Sequence, residues 1–151
     1  MPALAERLDE IEMADIESHA VILRADDLDF PLLAGIIGRE DDFFSAVSRD
    51  LVPHPGYRAF TFHFRPGRLS ASDSLSRICA VLGVDRSAVI SSVSRANRLP
   101  ALRLGHAERI EWLDRQLQSL PLGLTGNWFQ GVSIEDSLVR TSVEYQRLKS
   151  Q

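Results

Sequence analysis

Eight arginines and only two acids lie between residues 56 and 106: Arg58, Arg65, Arg68, Arg77, Arg86, Arg95, Arg98 and Arg103 against Asp73 and Asp85. A guanidinium grips a phosphate or a guanine edge with two parallel hydrogen bonds. A clustered positive segment is what binding to a polyanion requires. The flanks are different: residues 1–55 carry a net charge of −9 and residues 107–151 carry −1, so the chain totals −4. Lys149 is the only lysine, so the preference for arginine is a habit of the whole chain. The location of the arginines is what carries information.

Other reactive side chains point less clearly. Asp26, Asp27 and Asp29, and then Glu40, Asp41 and Asp42, offer hard oxygen ligands. Their spacing lacks the Gly and the closing Glu of a calcium loop, and a solvated loop and an acidic helix start explain them. His19, His54, His63 and His106 show no metal-helix spacing. Cys79 falls in an apolar stripe, where a thiol packs and stays inert. There is no G-x-S-x-G, no phosphate-cradling glycine loop and no H-E-x-x-H. The expectation is therefore no catalytic residue, no metal and no cofactor.

The elements that must position the arginines centre on residues 70–98. Leu75, Ile78, Cys79 and Leu82 recur at helical steps, which predicts a helix over 72–82. Gly83 stands where a left-handed residue ends a helix. Asp85 suits the N-cap of a second helix over 86–97, with Ala88, Val89 and Val93 turned inward. This pattern resembles a helix-turn-helix DNA-binding unit. That motif wants a small residue four before the turn Gly, apolar neighbours around the turn, and apolar residues about six and nine after it. Cys79, Leu82 with Val84, and Val89 match; Ser92 departs, with Val93 one step later. The resemblance covers about one fifth of the chain and names no specific family. It implies that Arg86 and Ser87 read base edges, and that Ser91, Ser94, Arg95 and Arg98 contact bases or phosphates further along. Arg65, Arg68, Arg77 and Arg103 would hold the backbone.

Around this centre, residues 3–18 read as an amphipathic acidic helix with Leu4, Leu8, Ile11 and Ile16 inward. Residues 20–24 read as a short strand, and Asp26 to Pro31 as a loop. Leu32 to Ile37 is apolar, strand or short helix; Asp41 to Leu51 reads as a helix with Phe43, Phe44, Val47 and Leu51 inward. The clearest strand is Tyr57 to Arg65, with Phe60, Phe62 and Phe64 on one face. Pro100 stops any helix before it, so residues 99–105 read as a short strand or a wing. His106 to Ser119 and Ser133 to Lys149 read as helices separated by a glycine-rich loop carrying Trp128 and Phe129. Ser70 to Arg77 and Ser133 to Arg140 share S-x-x-D-S-L-x-R, read as two capped helix starts.

These readings predict a single domain over 1–151: mainly α with a short β element, and a helix-turn-helix, winged or not, in the middle. Its parts are an acidic 1–55, a basic 56–106 and a C-terminal helical pair in 107–151. The expected function is a bacterial-type transcription regulator that binds double-stranded DNA and is not an enzyme. It would form a homodimer through 110–120 and 134–148. The alternative is an acidic interaction module that binds a basic partner protein through residues 1–55; the acidic helix over 3–18 is a docking surface for that partner or a shield for the protein's own Arg-rich segment. No apolar run reaches the roughly 20 residues of a membrane span. The first residues lack a secretory pattern, and a lone cysteine suits a reducing cytoplasm.

Overall fold

A computed structural model describes residues 2–150. The elements run α1 (Pro2–Asp9), β1 (Met13–Arg24), β2 (Gly35–Ile37), β3 (Phe43–Ser48), β4 (Tyr57–Phe64), α2 (Ala71–Leu82), β5 (Val89–Pro100), α3 (His106–Leu117) and α4 (Ile134–Lys149). The five strands form one antiparallel sheet in the order β2-β3-β4-β1-β5. This overturns the expectation of a mainly helical fold with a short β element. The chain divides into two compact units, residues 15–98 and residues 1–14 with 99–151.

The 15–98 unit is built around the phenylalanine strand. Phe60, Phe62 and Phe64 alternate with Ala59, Thr61 and His63, and all three rings are buried. The strands on either side take their register from β4. In β1, Val21 lies opposite Phe60 and His19 opposite Phe62; in β3, Ala46 lies opposite Phe62. Phe43 packs edge-on against Phe62 and Phe64, at 5.1 and 6.1 Å between centroids. α2 covers this face with Leu75, Ile78, Cys79 and Leu82.

Three expected helices are strands, and the reason is shared. Residues 10–18 continue into β1, residues 43–48 are β3, and residues 89–100 are β5. Phe43, Val47 and Leu51 fit a helical spacing, yet the buried set in β3 is Phe43, Ala46 and Ser48, with a register shift between Phe43 and Ser45. A bulge breaks the period-two pattern that marks a strand. Residues 86–97 hold no recognition helix: a 3₁₀ turn at Arg86–Ala88 leads straight into β5. β5 is an edge strand whose middle is exposed on both faces, so it has no alternation to read. Arginines on such an edge discourage pairing with another chain.

α2 and its turn form as expected. Gly83 is left-handed at φ 67°, and its N–H caps Cys79 O. The repeated S-x-x-D-S-L-x-R is indeed two helix starts. Ser70 accepts from Asp73 N, and Ser133 accepts from Asp136 N in a reciprocal capping box.

In the other unit α1 and α3 pack through Leu4, Ile110, Leu113 and Phe129. The loop between α3 and α4 is held by buried charge. Arg140 donates to Leu124 O at 3.0 Å, reaches Asp114 at 2.7 Å, and lies 3.9 Å from the centroid of the Phe129 ring. Arg147 donates to Leu117 O, Leu120 O and Leu122 O. Burial would raise the pKa of Glu144, but hydrogen bonds from Arg147 and the charges of Arg140 and Arg147 outweigh it, and its pKa is lowered. His106 Nε2 sits 3.1 Å from Phe129 O, closing the loop onto the start of α3. Among the described residues, no helix is long and apolar enough to cross a membrane.

Candidate functional site

The residues expected to touch DNA do not share a helix. Arg86 lies in the 3₁₀ turn and donates to Ser72 Oγ at 3.3 Å. Ser87 offers its carbonyl to Arg24, and Ser91, Ser94, Arg95 and Arg98 are strung along β5. Several arginines meet the chain's own acids instead. Arg77 makes a two-pronged contact with Asp41, at 3.0 and 2.5 Å. Arg98 pairs with Asp15 at 3.3 Å, and Arg103 with Glu12 at 3.2 Å. Arg65 lies over the Phe44 ring, and Arg68 lines a charged hollow with Glu40, Asp42 and Arg77. Asp41, Asp15 and Glu12, all from residues 1–55, thus pair with arginines of the basic segment.

Within the 15–98 unit the two faces of the sheet differ. α2 covers the phenylalanine face, and no helix of that unit covers the other. That second face carries Ser18, Ala20 and Ile22 from β1, Tyr57, Ala59, Thr61 and His63 from β4, and Ser45 and Val47 from β3. Opposed strand partners lie on one face, so the register alone brings Ser18 beside His63 and Ile22 beside Ala59.

One end of this face is polar. Ser18 Oγ lies 3.1 Å from His63 Nδ1, and Asn97 Nδ2 donates to the same Ser18 oxygen at 2.9 Å. Asn97 also donates to Arg95 O at 3.4 Å, which fixes its amide nitrogen toward Ser18. Which of the two donates depends on the His63 tautomer: with the ring proton on Nε2, the Ser18 hydroxyl donates to Nδ1. His63 Nε2 has no partner among the described residues.

The other end is apolar. A recess of about 330 Å³ is lined by Ile22, Leu32, Val52, Tyr57 and Ala59, with Arg49 and His54 at its polar side. The His54 and Tyr57 rings stack at 5.0 Å. Its floor is anchored by a buried clamp. Arg58 Nη2 meets Asp50 at 2.6 Å and Pro31 O at 3.0 Å, and Arg58 also donates to Phe30 O. The hydrogen bond from Arg58 is the main cause of a lowered Asp50 pKa, with smaller help from Leu33 N.

No family model and no curated protein matches the sequence. A solved structure of reduced UDP-galactopyranose mutase is similar in fold: TM-score 0.55, 14% identity, covering 97% of this chain and 37% of that one. This chain therefore spans well under half the length of that protein. Sequence reasoning passed over Ser18, Asn97 and His63. The one signal available was His63 on the strand's second face. Its partners come from strands 45 and 79 residues apart from it or from each other.

Proposed function

We propose that the chain is part of a small-molecule enzyme, with the second face of its sheet as the substrate wall. The observation that carries this is the likeness of nearly the whole chain to part of a mutase, together with an ordered polar row beside an apolar recess on the sheet face that no helix of the 15–98 unit covers. The row and recess suit a ligand with a flat or sugar ring and a hydrogen-bond acceptor. The ring would lie in the recess against Tyr57 and His54. The acceptor would take the Nε2 proton of His63, and a phosphate would sit by Arg49. Sites of this kind are concave, mostly apolar and carry a few placed polar groups.

The described residues contain no group of ligands for a metal.

The test is a titration with UDP-galactose, followed by nuclear magnetic resonance of the His63 ring and the β1 and β4 amides. The expected result is saturable shifts at His63, Ser18 and Tyr57. Binding instead to duplex DNA, weakening steeply with salt, would replace this reading with the regulator.

A further inference from the structure

The helix-covered face of the sheet has a polar gap where α2 begins. A pocket of about 270 Å³ opens there between α2, β1 and β5, within the 15–98 unit, and its lining includes Glu17, His19, Phe64, Leu69, Ser74 and Arg95. Glu17 lies opposite Phe64 and His19 opposite Phe62, so both belong to the phenylalanine face, on the far side of the sheet from His63 and the apolar recess. Two of the lining side chains are buried polar groups left unmet by the fold. His19 is 5% exposed, in line with the core residues Val21 and Leu23, and its Nδ1 is buried without a hydrogen-bond partner. Ser74 is 4% exposed. Its counterpart in the repeated S-x-x-D-S-L-x-R is Ser137, whose hydroxyl donates back to Ser133 O at 3.1 Å. Ser76, two residues on in α2, does the same to Ser72 O. The Ser74 hydroxyl makes no such bond among the described residues, although its backbone N–H donates to Ser70 O as the helix requires. Buried polar groups are nearly always hydrogen-bonded, and an unmet pair lining one pocket calls for a partner from inside it.

We infer that this pocket binds a small neutral molecule, a single apolar ring carrying a primary carboxamide. Charge selects against an ion. The lining holds one acid, Glu17, which already accepts from Gly67 N at 3.1 Å, and one base, Arg95, so it offers no net counter-charge. Burial lowers the pKa of His19, which keeps its ring neutral near pH 7. An ion entering here would lose its water without compensation. Hydrogen bonding selects the carboxamide, whose carbonyl accepts and whose NH₂ donates side by side. The carbonyl takes the Ser74 hydroxyl proton, and the NH₂ donates to the unprotonated nitrogen of the His19 ring. Phe64 and Leu69 supply an apolar wall for the ring. The volume lies just under the roughly 300–1,000 Å³ of drug-sized pockets, which suits one ring. The site stands apart from the substrate wall proposed above and holds whether or not that reading does.

The experiment titrates the full chain with benzamide, benzoate and toluene, followed by nuclear magnetic resonance of the His19 ring and the Ser74 and Leu69 amides. The expected result is saturable shifts with benzamide, and binding at least tenfold weaker for benzoate, which is charged, and for toluene, which has no polar end. Ser74→Ala and His19→Leu should each weaken benzamide at least tenfold without lowering the melting temperature, because neither side chain bonds another part of the fold. Ser137→Ala, in the other helix start, should leave benzamide binding unchanged. Absence of saturable shifts with benzamide overturns the inference. Benzoate binding as tightly as benzamide overturns it in favour of an anion site, and toluene binding as tightly overturns it in favour of a plain apolar cavity. Benzamide binding that survives both substitutions also overturns it. UDP-galactose shifts at His63 without shifts at His19 test the enzyme reading separately.

Discussion

Ser18 takes a hydrogen from Asn97 and shares another hydrogen bond with His63 Nδ1, so side chains on three strands meet at one oxygen. Ser18→Ala removes the partner of both. The expected outcome is a changed balance of His63 tautomers, read from the ring nitrogen shifts. Affinity for UDP-galactose should fall about tenfold, the cost of roughly one oriented hydrogen bond. The Arg58–Asp50 clamp makes a different prediction, about stability. Both side chains are more than nine-tenths buried, so Arg58→Met strands a carboxylate. The expected loss is about 3–5 kcal/mol, measured by urea unfolding at neutral pH. The double change Asp50→Leu with Arg58→Met should recover much of it. Because the folded pKa of Asp50 is lowered, its contribution is complete above the ordinary Asp value and disappears as pH falls through the lower folded one. The gap between the parent and Arg58→Met should therefore narrow in acid.

Helix ends were the most legible elements because capping is local. Ser70 and Ser133 each accept from an N–H three residues on, and nothing distant is needed to see it. Ser70→Ala and Ser133→Ala should each cost about 1 kcal/mol, visible as a lower melting temperature. Strand identity was legible only where one face is uniformly buried, as in β4. In β1 only the second half alternates cleanly, with His19, Val21 and Leu23 inward, and its first half carries acids that suit an exposed helix equally well. In β3 a bulge shifts the phase. In β5 the edge position removes the inward set altogether. Residues 86–97 thus resemble a recognition helix by local signals, while pairing with β1 makes them a strand.

At the scale of the molecule, charge and packing redistribute what composition suggests. Arg58, Arg77, Arg98 and Arg103 each pair with an acid from residues 1–55. The basic segment is therefore partly neutralised within the fold. Nonspecific duplex DNA binding should accordingly show a salt slope near zero, well short of the roughly one unit per phosphate contact of a true binder. The loop between α3 and α4 depends on Arg140, which meets Asp114, Glu144, Leu124 O and Phe129. Arg140→Met should cost about 3–5 kcal/mol in unfolding followed by tryptophan fluorescence, since Trp128 sits in that loop.

The sequence by itself determined α2, α3 and α4, both caps, the Gly83 turn and the phenylalanine strand. Each rests on contacts within a few residues or on a regular burial period. Tertiary structure alone decided β1, β3 and β5, because strands take their partners from far along the chain and an edge or a bulge erases the period. It also decided the polar row. Ser18 and Asn97 are 79 residues apart and meet only because β1 lies between β4 and β5. The orientation of α4 belongs to the same class: Ile134, Leu138 and Tyr145 are exposed because Arg140, Glu144 and Arg147 turn inward and spend their hydrogen bonds on the loop beneath.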